Sequence, residues 1–167
     1  MKATTLITAL AAAVLLGGSV QAADIAGARA FVTALYGHYP TAGRKGGFDA
    51  LDAKQIPRLF HPSLIALIKE DERLAGDEVP ALDGDPVCDC QDDGDMAFTI
   101  RRVGATGPTR AVAEVLRRSA DNQPLETLTL DLLFSDGRWR IWDIHSKDTP
   151  SLRGFLVKNN QERRKTP

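Results

Sequence analysis

Residues 127–144 read Thr-Leu-Thr-Leu-Asp-Leu-Leu-Phe-Ser-Asp-Gly-Arg-Trp-Arg-Ile-Trp-Asp-Ile. Leu128, Leu130, Leu132 and Phe134 alternate with Thr127, Thr129, Asp131 and Leu133. A period of two puts the first set on one face of a strand and predicts that it lines a core. Ser135-Asp136-Gly137 is a tight turn, since Asp-Gly accepts the positive φ angles that a short hairpin demands. The returning strand carries Trp139 and Ile141 on its buried side. Trp142 faces the other way, which leaves it under a C-terminal helix or on a dimer surface.

Working outward, Met96, Phe98 and Ile100 alternate with Ala97, Thr99 and Arg101, a further strand signal. Gly104 to Pro108 reads as a turn and Arg110 to Arg118 as the next strand, with Ala111, Ala113 and Val115 on one face. Upstream the period changes to helical. Ile25, Ala28, Phe31, Val32, Leu35, Tyr36 and Tyr39 follow a capping Asp24, and Gly37 and Pro40 bring the end. Phe31, Leu35 and Tyr36 are expected to pack on the sheet. Leu51 to Phe60 reads as a short helical segment interrupted at Pro57. Ser63 is the expected cap of a helix running to Ala75-Gly76. Ser151 is the expected cap of a last helix with Leu152, Phe155 and Leu156. Helices, then an antiparallel meander, define one α+β domain: N-terminal helices packed on a curved, cone-like antiparallel sheet, with a short C-terminal helix.

Four segments in order carry a resemblance: Ala30-Phe31-Val32-x-x-Leu35-Tyr36-x-x-Tyr39, Asp85-Pro86-Val87-Cys88-Asp89-Cys90-Gln91-Asp92, the Asp136-Gly137-x-Trp139-Arg140-Ile141-x-Asp143 strand, and Ser151-Leu152-Arg153-x-x-Leu156. Together they resemble the bacterial domain-of-unknown-function family 3828. The hairpin resembles the closing strands of the cone-shaped fold of nuclear transport factor two and scytalone dehydratase. The resemblance implies an exported or lipoprotein-anchored envelope protein, without assigning an activity.

The N-terminus agrees with export. Met1-Lys2 precedes an apolar run from Ala3 to Val20, and Val20-Gln21-Ala22 fits a cleavage site after Ala22. Residues 1–22 are therefore expected to be a signal peptide and 23–167 the mature domain, periplasmic or secreted. No Cys stands at the cut and no later apolar stretch could span a bilayer, so no stable membrane anchor is expected. The formal charge is −1, and losing Lys2, the leader's one charged side chain, makes it −2. Such balance argues against nucleic acid as a partner. The basic tail Arg163-Arg164-Lys165 reads as solvated.

Asp83, Asp85, Asp89, Asp92, Asp93 and Asp95 crowd one turn-rich stretch together with both cysteines, Cys88 and Cys90. Like charges this dense repel unless water, a cation or backbone N–H groups answer them. These six are the candidates for binding a ligand or partner. Calcium takes carboxylate and carbonyl oxygens from such loops, although the spacing is not that of an EF-hand. The alternatives are a self-capped acidic turn and a cationic partner. In an exported chain Cys88 and Cys90 point to a local disulfide. A soft-metal site or free thiols are the other readings; no Cys or His stands close in sequence to complete a metal site.

Tyr36, Tyr39, Asp131, Asp143 and His145 are the candidates for lining a pocket between helices and sheet. There a buried Asp could act as a base, as in the lyases and isomerases of the cone fold. No nucleophile, base and orienting group can be read together, so no catalytic residue, cofactor or metal ligand is assigned. His38 and His61 look ordinary. The leading reading is a non-catalytic binding or inhibitory, immunity-like module that docks on an envelope protein or cell-wall component. A small-ligand- or calcium-binding cone protein, or an enzyme with a pocket Asp, is the alternative.

Overall fold

The computed structural model describes residues 24–39, 48–91, 96–119 and 126–165. The expected signal peptide, residues 40–47, and Asp92, Asp93 and Asp95 lie outside the described residues. The elements are α1 (Ile25–Tyr36), α2 (Ile56–Leu59), α3 (Pro62–Ala75), β1 (Met96–Gly107), β2 (Arg110–Ser119), β3 (Glu126–Ser135), β4 (Arg138–His145) and α4 (Leu152–Arg163). The strands form an antiparallel meander in the order β1-β2-β3-β4. The chain is α+β, with helices before and after the sheet.

The alternation in β3 works as the sequence predicts. Leu128, Leu130 and Leu132 are buried and join Ala113, Val115 and Ile141 on one face. Val32 and Leu35 of α1, Leu64 and Ile68 of α3, and Leu152 and Leu156 of α4 close the core over them. Phe134 departs from expectation. It shares the face but stands at the rim, 37% exposed, its ring 5.4 Å from that of Trp139. The turn has Asp136 at φ 51° and Gly137 at φ 75°, the left-handed pair that matches strand twist in two-residue hairpins.

Some boundaries differ from the reading. β1 runs through Gly104 to Gly107, and the turn is only Pro108-Thr109; bulges after Ile100 and Ala105 let the strand continue past its glycines. Pro57 opens α2 instead of interrupting a helix, because a first-turn residue needs no intrahelical N–H bond. His61, not Ser63, caps α3: the Ser63 backbone N–H donates to His61 Nδ1, and Pro62 starts the helix. Phe31 is half-buried at the core's edge. The basic tail is engaged. Arg164 meets Glu70 at 2.9 Å, and Arg163 donates to the Val79 carbonyl.

β4 contains the irregularity that matters most. Asp131 pairs with Asp143 but Leu132 pairs with Ile141, so Trp142 is an extra residue. The bulge lets Ile141 and Ile144 both face the core while Trp142 and Asp143 turn outward. Phe60 then bridges to Ile141, and the His61 N–H donates to the Ile141 carbonyl, covering this edge of the sheet.

Candidate functional site

Two clusters collect the polar chemistry, one on each face of the sheet. On the core side the acidic loop is built inward from Asp85. Its Oδ2 accepts from the Tyr39 hydroxyl at 2.7 Å and from the Ala50 N–H, and its Oδ1 accepts from the Val87 N–H at 2.8 Å. Asp85 and Cys90 also exchange backbone hydrogen bonds. Gly84 lies so close that a Cβ there would meet the Cys90 carbonyl oxygen at 2.8 Å. Tyr36 donates to the Val87 carbonyl at 3.0 Å. The Cys88 and Cys90 sulfurs are adjacent, their Cα atoms 5.2 Å apart.

Burial raises the Asp85 carboxyl above its ordinary range, although the bonds from Tyr39, Val87 and Ala50 work against that shift. Burial and then the neighbouring Asp85 push both tyrosines far up, so each stays a protonated donor.

Two residues that the sequence reading passed over hold the loop from outside. Arg117 of β2 lies on the apolar face of its strand and donates to the carbonyls of Cys88, at 2.9 Å, and Asp89. It also pairs with Glu126 across the strands. Asp71 is buried on the inner face of α3 and accepts from the Ala81 and Leu82 N–H groups, tying down the approach to the loop. Each carried a signal: a charged residue at an apolar register position. Of the other carboxylates, Asp83 is exposed and accepts from Gln91, and Asp89 sits at φ 53°. Among the described residues no three His, Cys, Asp or Glu side chains are grouped to hold a metal ion.

The fixed loop stands between two clefts. One, of about 280 Å³, has the apolar side chains of Ile144, Leu152 and Phe155 on its far wall. The other, of about 580 Å³, opens towards Phe48, Leu51 and Val79. Both are lined by Asp83, Gly84, Asp85, Cys90 and Gln91.

The five pocket candidates are divided. Tyr36 and Tyr39 belong to the loop anchor. Asp131, Asp143 and His145 meet on the opposite face. His145 Nε2 lies 3.1 Å from Asp131 Oδ2 and 3.9 Å from Asp143 Oδ2, while its Nδ1 reaches the Pro150 carbonyl. Burial disfavours charge on His145. The Pro150 carbonyl, the bond to Asp131 and the fields of both carboxylates outweigh burial, and the net shift is upward. A ring with an acceptor at each nitrogen is stabilised as imidazolium. Asp143 accepts from its own neighbour Ile144 N–H, from Arg153 N–H at 3.0 Å and from the Ser151 hydroxyl at 2.7 Å. Ser151 also caps α4 through the Gly154 N–H. Serine, carboxylate and imidazole are thus neighbours, but the hydroxyl donates to the carboxylate and not to the imidazole, so it is not activated as a nucleophile.

Among the described residues no helix is long and apolar enough to cross a membrane. No family model matches the chain, and no solved structure matches it. Over 97 residues the chain is 35% identical to "Uncharacterized protein YqhG" of Escherichia coli strain K12, covering 58% of this chain and 32% of that one. The aligned part thus spans about a third of the length of that curated relative.

Proposed function

We propose that this chain is an exported, non-catalytic binding or inhibitory module of the bacterial envelope. In this reading residues 1–22 are a signal peptide, and the mature domain is periplasmic or secreted. Cys88 and Cys90 form a disulfide, and the acidic loop around them is the docking element. The resemblance to family 3828 supports the compartment. The observation that carries the role is the loop's fixation by Tyr36, Tyr39, Asp71 and Arg117 between two open clefts that share its residues. A surface loop held before it meets its partner avoids the ordering cost of association. The exposed Asp83 and the part-exposed Asp89, which lies 4.0 Å from Arg117, would steer a basic surface towards it. The internal partners of Asp85, Asp143 and His145 favour binding over catalysis.

The test uses the mature oxidised protein and its Asp83→Asn/Asp89→Asn/Gln91→Ala variant, each immobilised and challenged with envelope extract. Asparagine tolerates the left-handed backbone at position 89. A discrete protein held by the wild type, then shown in purified form to bind the variant about tenfold more weakly, is the expected result. Equal retention by both baits, or none by either, refutes the docking role. A small ligand in the 280 Å³ cleft is the second reading, favoured by the cleft's apolar wall and polar rim.

A further inference from the structure

We infer that the outer face of the sheet, around Trp142, is a binding site for a phosphate-class anion, independent of the acidic loop. The Arg153 guanidinium lies 4.0 Å from the Trp142 ring centroid and that of Arg110 lies 5.3 Å from it. His61 meets the same ring edge-on at 5.2 Å. The bulge in β4 turns Trp142 to this side, and the β2 register brings Arg110 opposite Leu133, whose other neighbour is Arg140. Two guanidinium groups, Arg110 of β2 and Arg153 of α4, therefore flank one half-buried indole, with the His61 ring at its edge and Arg140 two positions before it on β4.

Their charge is only partly answered from within. Arg140 is buried and has Asp136 at 3.2 Å, but its Nε has no partner. Among the described residues neither Arg110 nor Arg153 has a carboxylate within ion-pair distance. Arg153 donates to Ser63 Oγ at 3.1 Å and weakly to the Trp142 carbonyl. Burial lowers the Arg153 pKa and the field of Asp143 works against that shift, but the Asp143 oxygens already accept from Ile144, Ser151 and the Arg153 backbone. The effect is felt at His61, whose pKa is lowered by burial and then by Arg140, Arg153 and Arg110. Stacking on an indole offsets part of the mutual repulsion.

A positive field with too few internal anions is what recruits an external one. The first turns of α3 and α4 meet here, where Arg153 donates to Ser63 Oγ. Guanidinium forks match the oxygens of a phosphate. The number of cations favours a dianion or diphosphate over a single carboxylate.

The test is isothermal titration of the oxidised mature protein with inorganic phosphate, pyrophosphate and acetate at matched ionic strength. Pyrophosphate is expected to saturate one site, and acetate to give no saturable heat. Arg110→Gln changes an exposed side chain that lies over the Trp142 ring and bridges no carboxylate among the described residues, so the fold survives. It should weaken pyrophosphate binding about tenfold, the loss expected for a charge-assisted hydrogen bond. Arg118→Gln, exposed on the same strand, should leave binding unchanged. Displacement of pyrophosphate by phosphatidylglycerol vesicles, but not phosphatidylcholine vesicles, would assign the phosphate to a lipid headgroup; failure to displace would assign it to a soluble ester. Equal affinity for acetate, equal losses in both variants, or no saturable binding overturns the site.

Discussion

Replacing Tyr39 by Phe removes one oxygen and keeps the buried ring. The lost hydroxyl donates to Asp85 Oδ2 at 2.7 Å, a short bond, and Tyr39 is only 3% exposed, so water has little room to take its place. A hydrogen bond to a charged group contributes about 1.5–3 kcal/mol, and the burial places this one in the upper part of that range. With a urea dependence of about 2 kcal/mol per molar, the unfolding midpoint should fall by about 1 M at pH 7. The size of the loss depends on the charge state of Asp85. Its folded pKa lies above the ordinary 3.8, so ionisation itself costs stability as pH rises through the folded value. Tyr39 mitigates that cost, and its removal pushes the folded pKa higher still. Below the unfolded value both states hold a neutral carboxyl, and the lost bond is an ordinary one of about 1 kcal/mol. Urea titrations of wild type and Tyr39→Phe at pH 7 and at about pH 3.5 measure the difference. A larger deficit at pH 7 is expected. Equal deficits at both values would refute the claim that a charged Asp85 anchors the loop.

Three other outcomes follow from the same contacts. Leu130→Ala, at a fully buried position facing Ile144, should cost about 2–5 kcal/mol in chemical denaturation with the slope unchanged. His145→Asn should destabilise most at acid pH. The raised pKa makes the charged ring's contribution complete below the ordinary 6.5 and lost as pH rises through the folded value, so wild-type and variant midpoints should converge above it. The mature protein exported to a periplasm should weigh two hydrogens less than its reduced mass, and Cys88→Ser should abolish that difference, as read by intact mass spectrometry.

The sheet was legible because its strands obey a two-residue period and its last turn carries Asp-Gly. The same logic exposed its own failures. Alternation placed Phe134 with the leucines, but burial also depends on what covers each position, and Trp139 beside it is buried while Phe134 stays 37% exposed. Strict alternation could not foresee that Trp142 is an inserted residue. Without the bulge, Ile144 and Asp143 would exchange faces, and the polar cluster with Asp131 and His145 could not form. The reading of Asp85 as a surface ligand was natural from composition. Only the fold brings Tyr39 across forty-six positions to meet it. Arg117 and Asp71 were readable in retrospect, since each stands where the period demands an apolar side chain.

The two faces of this sheet answer their charges differently. On the core side Asp85 and Asp71 meet donors, and Arg117 meets the carbonyls of Cys88 and Asp89, so a loop that composition makes self-repelling is held in one shape. On the outer face Asp131, Asp143 and His145 are mutually satisfied at the C-terminal end of β4, whereas Arg110 and Arg153 crowd the adjoining Trp142 without a carboxylate within ion-pair distance among the described residues. Both acids and bases are present on that face, and rearrangement could have paired them. The Ser151 cap and the Arg153 N–H instead draw Asp143 to α4's first turn, so that only its field, and no ion pair, reaches the Arg153 guanidinium. Asp143→Asn should therefore loosen the start of α4, read as faster amide exchange at Arg153 and Gly154, while leaving the Arg110 side of the cluster intact. If exchange at those amides is unchanged, Asp143 is not what separates the two charge systems, and an alternative partner for Arg153 must be sought.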